Sequence, residues 1–202
     1  MSLLEAIQSR RSVYRLTNKS PIPDSRIQEI VAFTVTHAPS AFNVQSARAV
    51  VLFREQHEKL WDVGLQVIQT EMPPAARPVL ETKVAGLRAA YGSVLWFEDD
   101  AALDALKEKN PAIQGLIPEW SAHSSGMHQF IAWTALENEG LGCNLQHYNF
   151  STTFTDSVHQ LWDIPASWKL KAQLVFGQPE SAGAEREKQI KPVEGERVLF
   201  FQ

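Results

Sequence analysis

Short strand-like runs, separated by longer segments with helical periodicity, constrain the fold of this chain most. The runs at 49–53 and 93–97 are rich in β-branched and aromatic residues, and the run at 169–177 alternates polar and apolar residues in its first half; both patterns are typical of strands. A fourth strand, or strand end, is predicted at 143–148. Strands that alternate along the chain with helical segments predict an α+β or mixed three-layer fold.

In the segments around these runs, apolar residues recur every three to four positions, as amphipathic helices require. A capping-box pattern, Ser25 followed by Gln28, predicts where the second helix begins. Gly140 and Gly142 predict where a long helix ends. No linker or repeat interrupts the pattern, so we expect one domain over residues 1–202. The predicted helices cover 2–10, 25–37, 56–72, 78–91, 98–107, 121–139 and 154–162.

Composition and charge argue against several classes of protein. The chain carries 19 Lys and Arg against 23 Asp and Glu, a formal net charge of −4, whereas a nucleic-acid partner requires a concentrated basic face. No window approaches about 18 uninterrupted apolar residues, so no membrane span is predicted. The lone Cys143 can form neither an intramolecular disulfide nor a Cys-x-x-Cys pair, and a cytoplasmic protein is expected.

Signatures of the common metal and nucleophile sites are absent from the sequence. His123 and His128 are separated by a spacing that turns them about 140° apart on a helix, so no metal site is predicted. Glu98 and the two acidic residues after it are interpreted as the solvated start of a helix rather than as a cation site. Ser40 and Ser46 have no base at a recognisable spacing, so nucleophilic catalysis is not expected.

Two polar segments that follow predicted helices carry side chains suited to binding a ligand. Arg10 and Arg11 follow the first helix, and a loop at 39–45 follows the second. Arginines suit a phosphate, because a guanidinium offers several N–H donors in a fork. The side-chain amides of Asn43 and Gln45 both donate and accept hydrogen bonds, which suits the carbonyl and imide edges of a polar heterocycle.

The residues of these elements, Arg-Arg-Ser-Val-Tyr at 10–14 and Pro-Ser-Ala-Phe-Asn-Val-Gln at 39–45, resemble the two FMN-binding signatures of the nitroreductase family. Two further stretches, at 140–149 and 173–179, agree with the family. The resemblance covers essentially the whole chain and is strongest to a small branch with fungal and copper-induced bacterial members. It implies a three-layer α/β/α sandwich around a mainly antiparallel central sheet, in a domain-swapped homodimer with two FMN sites at the interface.

The resemblance also implies which residues bind the cofactor. One chain supplies the residues around the phosphate end of FMN, namely Arg10, Arg11, Ser12, Tyr14 and Lys188. The other chain supplies the residues around the isoalloxazine ring, namely Pro39, Ser40, Ala41, Asn43 and Gln45. Gln146 and His147 match the stretch beside the redox-active nitrogen of the flavin. The segment 178–202, which ends in an apolar run, is implied to be an arm that reaches onto the partner.

The activity that the resemblance implies is the reduction of a nitroaromatic compound or a quinone by NAD(P)H in a ping-pong reaction, with a role in oxidative or xenobiotic stress defence. Since FMN carries the chemistry, no catalytic side chain is expected. The alternative is a non-catalytic FMN-binding dimer that senses or buffers redox state. A hydrolase without a cofactor is a third class, and the colour of the purified protein separates it from the other two.

Several positions stay open from the sequence. Ser46 and Ala47 stand where larger members of the family carry Pro-Trp, which leaves the surroundings of the ring undefined. Ile190 stands where their tail carries an arginine, so Lys191 is an alternative to Lys188 at the phosphate. Three aromatic residues either line a substrate cavity or pack in the core, namely Trp96, Phe97 and Trp120.

Overall fold

The structure, a computed structural model, describes residues 2–180 and 197–201 of the 202-residue chain. Its α-helices are α1 (Leu3–Ser9), α2 (Asp24–His37), α3 (Arg54–Glu71), α4 (Arg77–Arg88), α5 (Asp100–Lys109), α6 (Ile117–Asn138) and α7 (Thr152–Leu161). Its strands are β1 (Leu16–Thr17), β2 (Ala47–Phe53), β3 (Gly92–Asp99), β4 (Gly142–Gln146) and β5 (Trp168–Pro179). Single turns of 3-10 helix lie at Ala41–Asn43, Pro111–Ile113 and Tyr148–Phe150. None of the helices in the described ranges has the length and apolar character needed to cross a membrane.

Each predicted helix and strand is present, but the capping box predicted at Ser25 is wrong. The second helix, α2, begins at Asp24 after Pro23, which makes no side-chain capping bond. A capping box is found instead at α1, where the Ser2 hydroxyl accepts from the Glu5 backbone N–H and the Glu5 carboxylate accepts from that of Ser2. A Ser-x-x-Gln pattern therefore does not by itself identify the first residue of a helix.

Two further boundaries differ from the prediction. The helix predicted from Ser121 begins at Ile117, with Pro118 in its first turn, where the missing N–H of a proline has no acceptor in any case. Strand β1 is not predicted from the sequence, because its two residues are too few to show an alternation. It forms because the backbone there pairs with the end of β5 at Gln178 and Pro179.

Strand β5 joins the sheet together. It pairs antiparallel with β1, β3 and β4, and β3 pairs antiparallel with β2. An isolated parallel bridge between Ser12 and Cys143 attaches the segment after α1 to β4. The described sheet is therefore mainly antiparallel, as expected.

Two apolar clusters lie on opposite faces of the sheet, as the alternation along β3 shows. Leu95 and Phe97 belong to a cluster that includes residues of α3, α4 and α7. Val94 and Trp96 belong to a second cluster that includes residues of α2 and α6. Because successive side chains of a strand point to opposite faces, helices cover both faces of the sheet. The predicted three-layer α/β/α sandwich is confirmed.

The structure distinguishes which of the three aromatic residues, Trp96, Phe97 and Trp120, pack in the core and which borders a cavity. Trp96 and Phe97 are each only 1% exposed and pack in the two clusters. Trp120 is half-buried and lies against Phe42, with 5.9 Å between the ring centroids. Phe42 belongs to the loop at 39–45, so Trp120 is the aromatic residue of the three that borders the candidate site.

A fully buried histidine lies between α3, α4 and β3. His57 Nε2 is 3.0 Å from the Leu87 carbonyl oxygen and donates to it, while Nδ1 is 2.9 Å from the Ser93 hydroxyl. Burial lowers the pKa of His57 to about 4. The imidazole is therefore neutral in the folded protein at pH 7 and forms part of the core.

This burial makes the stability depend on pH. Between pH 6.5 and 4 the unfolded chain binds a proton at His57 that the folded chain does not, so the free energy of unfolding decreases as the pH falls through this window. We expect the stability difference between the wild type and His57→Gln, measured by urea unfolding, to be smaller by about 2 kcal/mol at pH 5 than at pH 7. An equal difference at both pH values would contradict this assignment.

Candidate functional site

The segment after α1 lies along β4, which brings two distant parts of the sequence together. The Val13 backbone N–H donates to the Cys143 carbonyl at 2.8 Å. The Asn144 side-chain amide donates to the Val13 carbonyl at 2.8 Å and is itself buried. These two bonds place Tyr14 beside the end of β4, where Gln146 lies.

Three of the predicted site residues line one cavity of about 370 Å³. Tyr14, Gln146 and His147 meet there with Lys83 of α4. Tyr14 and His147 are exposed, whereas Gln146 is buried and its amide donates to Asn144 Oδ1 at 2.8 Å. We call this space the first cavity. It combines a phenol, an imidazole, an amide and an ammonium group, so it presents several hydrogen-bond donors to a ligand.

A buried side chain of β5 fixes the position of the turn that follows Gln146. The Tyr148 backbone N–H donates to the side-chain oxygen of Gln173 at 2.7 Å, and Gln173 is completely buried on β5. Burial also raises the pKa of Tyr148 to about 12. The phenol of Tyr148 is thus neutral and packs against Trp61, with ring centroids 5.1 Å apart. Residues 146 and 147 therefore project from a rigid support.

Arg10 is the most unusual cation of the described chain. Its Cζ lies 4.2 Å from the centroid of the Trp133 ring. The Nε and Nη1 atoms of its guanidinium are buried and make no hydrogen bond within the described residues. Buried N–H groups without an acceptor are costly, so this guanidinium is suited to an anionic ligand that supplies acceptors.

The neighbours of Arg10 are fixed by the last turns of α6. The Arg11 backbone N–H donates to Glu137 Oε2 at 2.9 Å, and the Trp133 indole donates to Glu137 Oε1 at 2.8 Å. Ser12 is exposed after them and forms the bridge to β4. Arg10, Arg11 and Ser12 thus lie next to one another between α6 and β4, as the predicted phosphate site requires. The fifth residue predicted for that site, Lys188, lies outside the described residues, as does Lys191.

The loop at 39–45 is tightly wound. It contains the 3-10 turn Ala41–Asn43, and three of its residues, Phe42, Asn43 and Gln45, have positive φ angles of 54°, 50° and 52°. The Ser40 hydroxyl accepts from the Gln45 backbone N–H at 3.1 Å, and Asn43 Oδ1 accepts from the Gln45 side-chain amide at 3.2 Å. The two predicted amides are therefore paired and exposed at the surface of the loop.

The loop residues line a different cavity from the residues around Tyr14. Ser40, Asn43 and Gln45 border a space of about 350 Å³ together with Arg48 and His128. We call this space the second cavity. Ala41 contributes to a narrow cleft beside Trp120, and Pro39 is exposed at the start of the loop. Within one chain, the structure therefore divides the predicted residues between two places.

Sequence reasoning missed several residues of these cavities. Lys83 gives no local signal, because only the packing of α4 brings it near Gln146. His128 was considered only as one of a possible metal pair with His123. It is 2% exposed, its Nδ1 donates to the Ser124 carbonyl at 2.7 Å, and its ring borders the second cavity. His123 is exposed beside Glu119, so the two histidines lie in different surroundings, as their spacing predicted.

The interpretation of the acidic residues that follow β3 as a solvated helix start is wrong for Glu98. Asp99 does cap α5 by accepting from the Ala101 backbone N–H at 3.1 Å. Glu98, however, is completely buried, and its Oε2 accepts from the hydroxyls of Ser46 at 2.5 Å and Ser121 at 2.9 Å. Glu98 is the last residue but one of β3, which is covered on both faces. The chain therefore becomes exposed to solvent only after this residue.

Comparison with known proteins identifies the family. Residues 7–178 match the sequence profile of the Nitroreductase family. The putative nitroreductase HBN1 of Saccharomyces cerevisiae is 37% identical over 187 residues, and the nitroreductase FRM2 of the same organism is 34% identical over 185 residues, each over 91% of both chains. The structure of the nitroreductase CinD from Lactococcus lactis in complex with nicotinic acid is 33% identical, covers 100% of both chains and superposes with a TM-score of 0.87.

These findings confirm the resemblance inferred from the signatures at 10–14 and 39–45. The family profile begins within α1 and ends one residue before the end of β5, so it covers all of the described sheet except Pro179. The chain belongs to the nitroreductase family and is an oxidoreductase enzyme.

Proposed function

We propose that this enzyme, folded as one domain, binds FMN between two copies of the chain and uses NAD(P)H to reduce nitroaromatic compounds or quinones. The observation that carries the proposal is the arrangement around the segment 10–14. Tyr14 lines the first cavity with Gln146, His147 and Lys83. Arg10, whose buried Nε and Nη1 have no hydrogen-bond acceptor in the described residues, lies at the start of the same segment.

Arg10 suits the phosphate end of FMN. A phosphate with a charge of about −1.5 to −2 offers several acceptor oxygens, which matches the buried Nε–H and Nη1–H groups. The Trp133 ring covers one face of the guanidinium. Arg11 and Ser12 adjoin it, and a tail lysine, Lys188 or Lys191, would complete the charge.

The first cavity suits the rest of the cofactor. His147 and Lys83 offer donors to it and Gln146 borders it, and the support from Gln173 keeps the turn at 146–147 in one position. FMN bound there would supply the two-electron chemistry between NAD(P)H and the acceptor. The described residues bind and orient the reactants, which explains why no acid–base pair is needed.

The choice of a nitroaromatic compound or a quinone as the electron acceptor is supported by the related enzyme CinD and by the loop at 39–45. CinD has been solved in complex with chloramphenicol and with 4-nitrophenol, at 33% identity to this chain. In this chain Phe42 is 61% exposed and stacks on Trp120 beside the amides of Asn43 and Gln45. An exposed aromatic surface next to hydrogen-bonding amides suits a flat aromatic acceptor.

A homodimer would unite the two cavities. Tyr14, which is expected on the phosphate side, lines the first cavity, whereas the loop residues Ser40, Asn43 and Gln45 line the second, so a second copy is needed to bring both groups to one ligand. An apolar groove between α1 and α6, lined by Leu3, Phe130 and Ile131, supports such an interface. Leu3 is 72% exposed in the single chain, and the apolar residues 198–201 are exposed as well.

The simplest test is on the purified protein. It is expected to be yellow, to release FMN on denaturation, and to oxidise NAD(P)H only when a nitroaromatic compound or a quinone is added. A colourless protein that takes up no added FMN would contradict the proposal. A yellow protein that turns over no acceptor would favour the non-catalytic FMN-binding dimer instead.

The phosphate assignment predicts a contrast between two flavins. Arg10→Gln should weaken FMN binding by about 1.5–3 kcal/mol, the range for hydrogen bonds to charged groups, and should hardly change riboflavin binding, since riboflavin has no phosphate. Affinities measured by fluorescence quenching at one fixed salt concentration check this. The control is Arg15→Gln, which removes an exposed arginine close by. Equal losses for both flavins would remove Arg10 from the phosphate site.

The interface predicts a second contrast. Leu3→Asp places a charge in the apolar groove and should weaken the dimer by about 2 kcal/mol or more, about 30-fold. Sedimentation at several concentrations measures this, and FMN retention should fall with it. Val79→Asp is the matched control, because Val79 is 74% exposed on α4 and does not line the groove. A Leu3→Asp protein that stays dimeric would contradict this interface.

A further inference from the structure

The loop at 39–45 needs support from the rest of the fold. Three of its residues, Phe42, Asn43 and Gln45, adopt the left-handed backbone conformation without being glycine. Such conformations are unfavourable and persist only where the surrounding structure holds them. Bonds within the loop join Ser40 to Gln45, but bonds inside a loop do not fix its position on the protein.

One face of α6 supplies the support at the start of the loop. Ser121, Ser124, Ser125 and His128 follow the i, i+3, i+4, i+7 spacing of a single helical face, and all four are buried. The Ser124 hydroxyl donates to the carbonyl of Pro39 at 2.9 Å. This bond holds the residue at which the chain leaves α2 and enters the loop.

The same face holds the other end of the loop through Glu98. The Ser121 hydroxyl and the Ser46 hydroxyl both donate to Glu98 Oε2, at 2.9 Å and 2.5 Å. The Asp99 backbone N–H donates to the Ser46 carbonyl at 2.8 Å. Ser46, the residue directly after Gln45, is therefore bound to β3 by its side chain and by its backbone.

A guanidinium strengthens this second anchor. Arg48 Nη1 donates to the carbonyls of Gln45 at 2.8 Å and Ala47 at 2.9 Å, and its Nη2 pairs with Asp99 at 2.9 Å. The carbonyls of Gln45 and Ser46 are thus both bound, on either side of the peptide that leaves the loop. Asn43 and Gln45 border the second cavity, which Arg48 also lines.

The burial of Glu98 is not explained by a contribution to the stability of the fold. It is 0% exposed, and its Oε1 is buried without a hydrogen-bond partner in the described part of the chain. A buried carboxyl group that is only partly satisfied is commonly no better for stability than an apolar side chain of the same size. What the carboxyl group provides, and an apolar residue would not, is one acceptor shared by a loop serine and a helix serine.

We propose that Glu98 is a positioning residue for ligand binding: by accepting from Ser46 and Ser121, it holds the strained loop in the conformation that directs Asn43 and Gln45 toward the flavin. This inference rests on the proposed function, and it adds a role for a residue that does not touch the ligand. It also gives a physical reason for a serine at position 46, since proline or alanine there would have no hydroxyl to donate.

Hydrogen–deuterium exchange of residues 39–47 in the protein without flavin measures the anchoring directly. Ser46→Ala, Ser121→Ala and Glu98→Leu should each raise the exchange of this segment by about 3- to 10-fold, the effect of losing one net hydrogen bond. Ser125→Ala is the matched control. It removes a buried serine from the same face of α6, whose hydroxyl accepts from Gln129 and not from the loop.

FMN affinity and thermal stability separate positioning from a merely structural role. Glu98→Leu should bind FMN about 3- to 10-fold more weakly while its melting temperature stays the same or rises. Glu98→Gln keeps an acceptor oxygen for both serines and should bind FMN as the wild type does. A structural role would instead lower the melting temperature and the affinity together.

The outcomes are distinct. Unchanged exchange in Ser46→Ala and Ser121→Ala would overturn the inference, as would faster exchange with unchanged FMN affinity. If Glu98→Leu does not fold, the two serine variants give the same measurement without altering the buried carboxyl group. A wild-type protein that binds no FMN, with faster exchange in the variants but not in Ser125→Ala, would refute the proposed function and still establish the anchoring of the loop.

Discussion

Backbone pairing to β5 is the constraint on which the arrangement of the candidate site depends. This strand pairs with β1, β3 and β4. Residues that line both cavities are held in place through strands that pair with β5. β4 ends at Gln146, and the segment with Arg10 and Tyr14 is attached to β4. On its other side β5 pairs with β3, which carries Glu98, the acceptor for Ser46 at the end of the loop at 39–45. Disturbing β5 would displace both groups of residues together.

Most of the apolar burial in the described chain is in the two clusters on the faces of the sheet. The two clusters on the faces of the sheet are built almost entirely of aliphatic and aromatic side chains, as expected where dispersion and the hydrophobic effect dominate. Buried side-chain nitrogen and oxygen atoms without a hydrogen-bond partner in the described residues occur at Arg10, Glu98, Thr134 and Gln173, and also at Trp96 within one of the apolar clusters. Buried polar groups of this kind reduce stability, and the burial of the two apolar clusters offsets that cost.

The elements of the fold were largely predictable, because strand alternation and helical periodicity are local properties. The failures have physical causes. β1 has two residues and exists only through its pairing with β5. The Ser25 pattern competed with an equally good start at Asp24 after Pro23. Glu98 was placed in solvent because three consecutive acidic residues are typical of an exposed helix start, whereas the β3 strand ends one residue later.

Local sequence patterns determined which segments become helices and strands, and the signatures at 10–14 and 39–45 identified the family. Those patterns depend on neighbouring residues, so a sequence contains them in full. Only the tertiary structure decided that Lys83 joins Gln146 in one cavity, that His128 borders the amide loop, and that Glu98 is buried between two serines. Each of these contacts joins residues from separate helices and strands, and their distances are set by the packing of α4 and α6 on the sheet. No spacing along the chain encodes that packing.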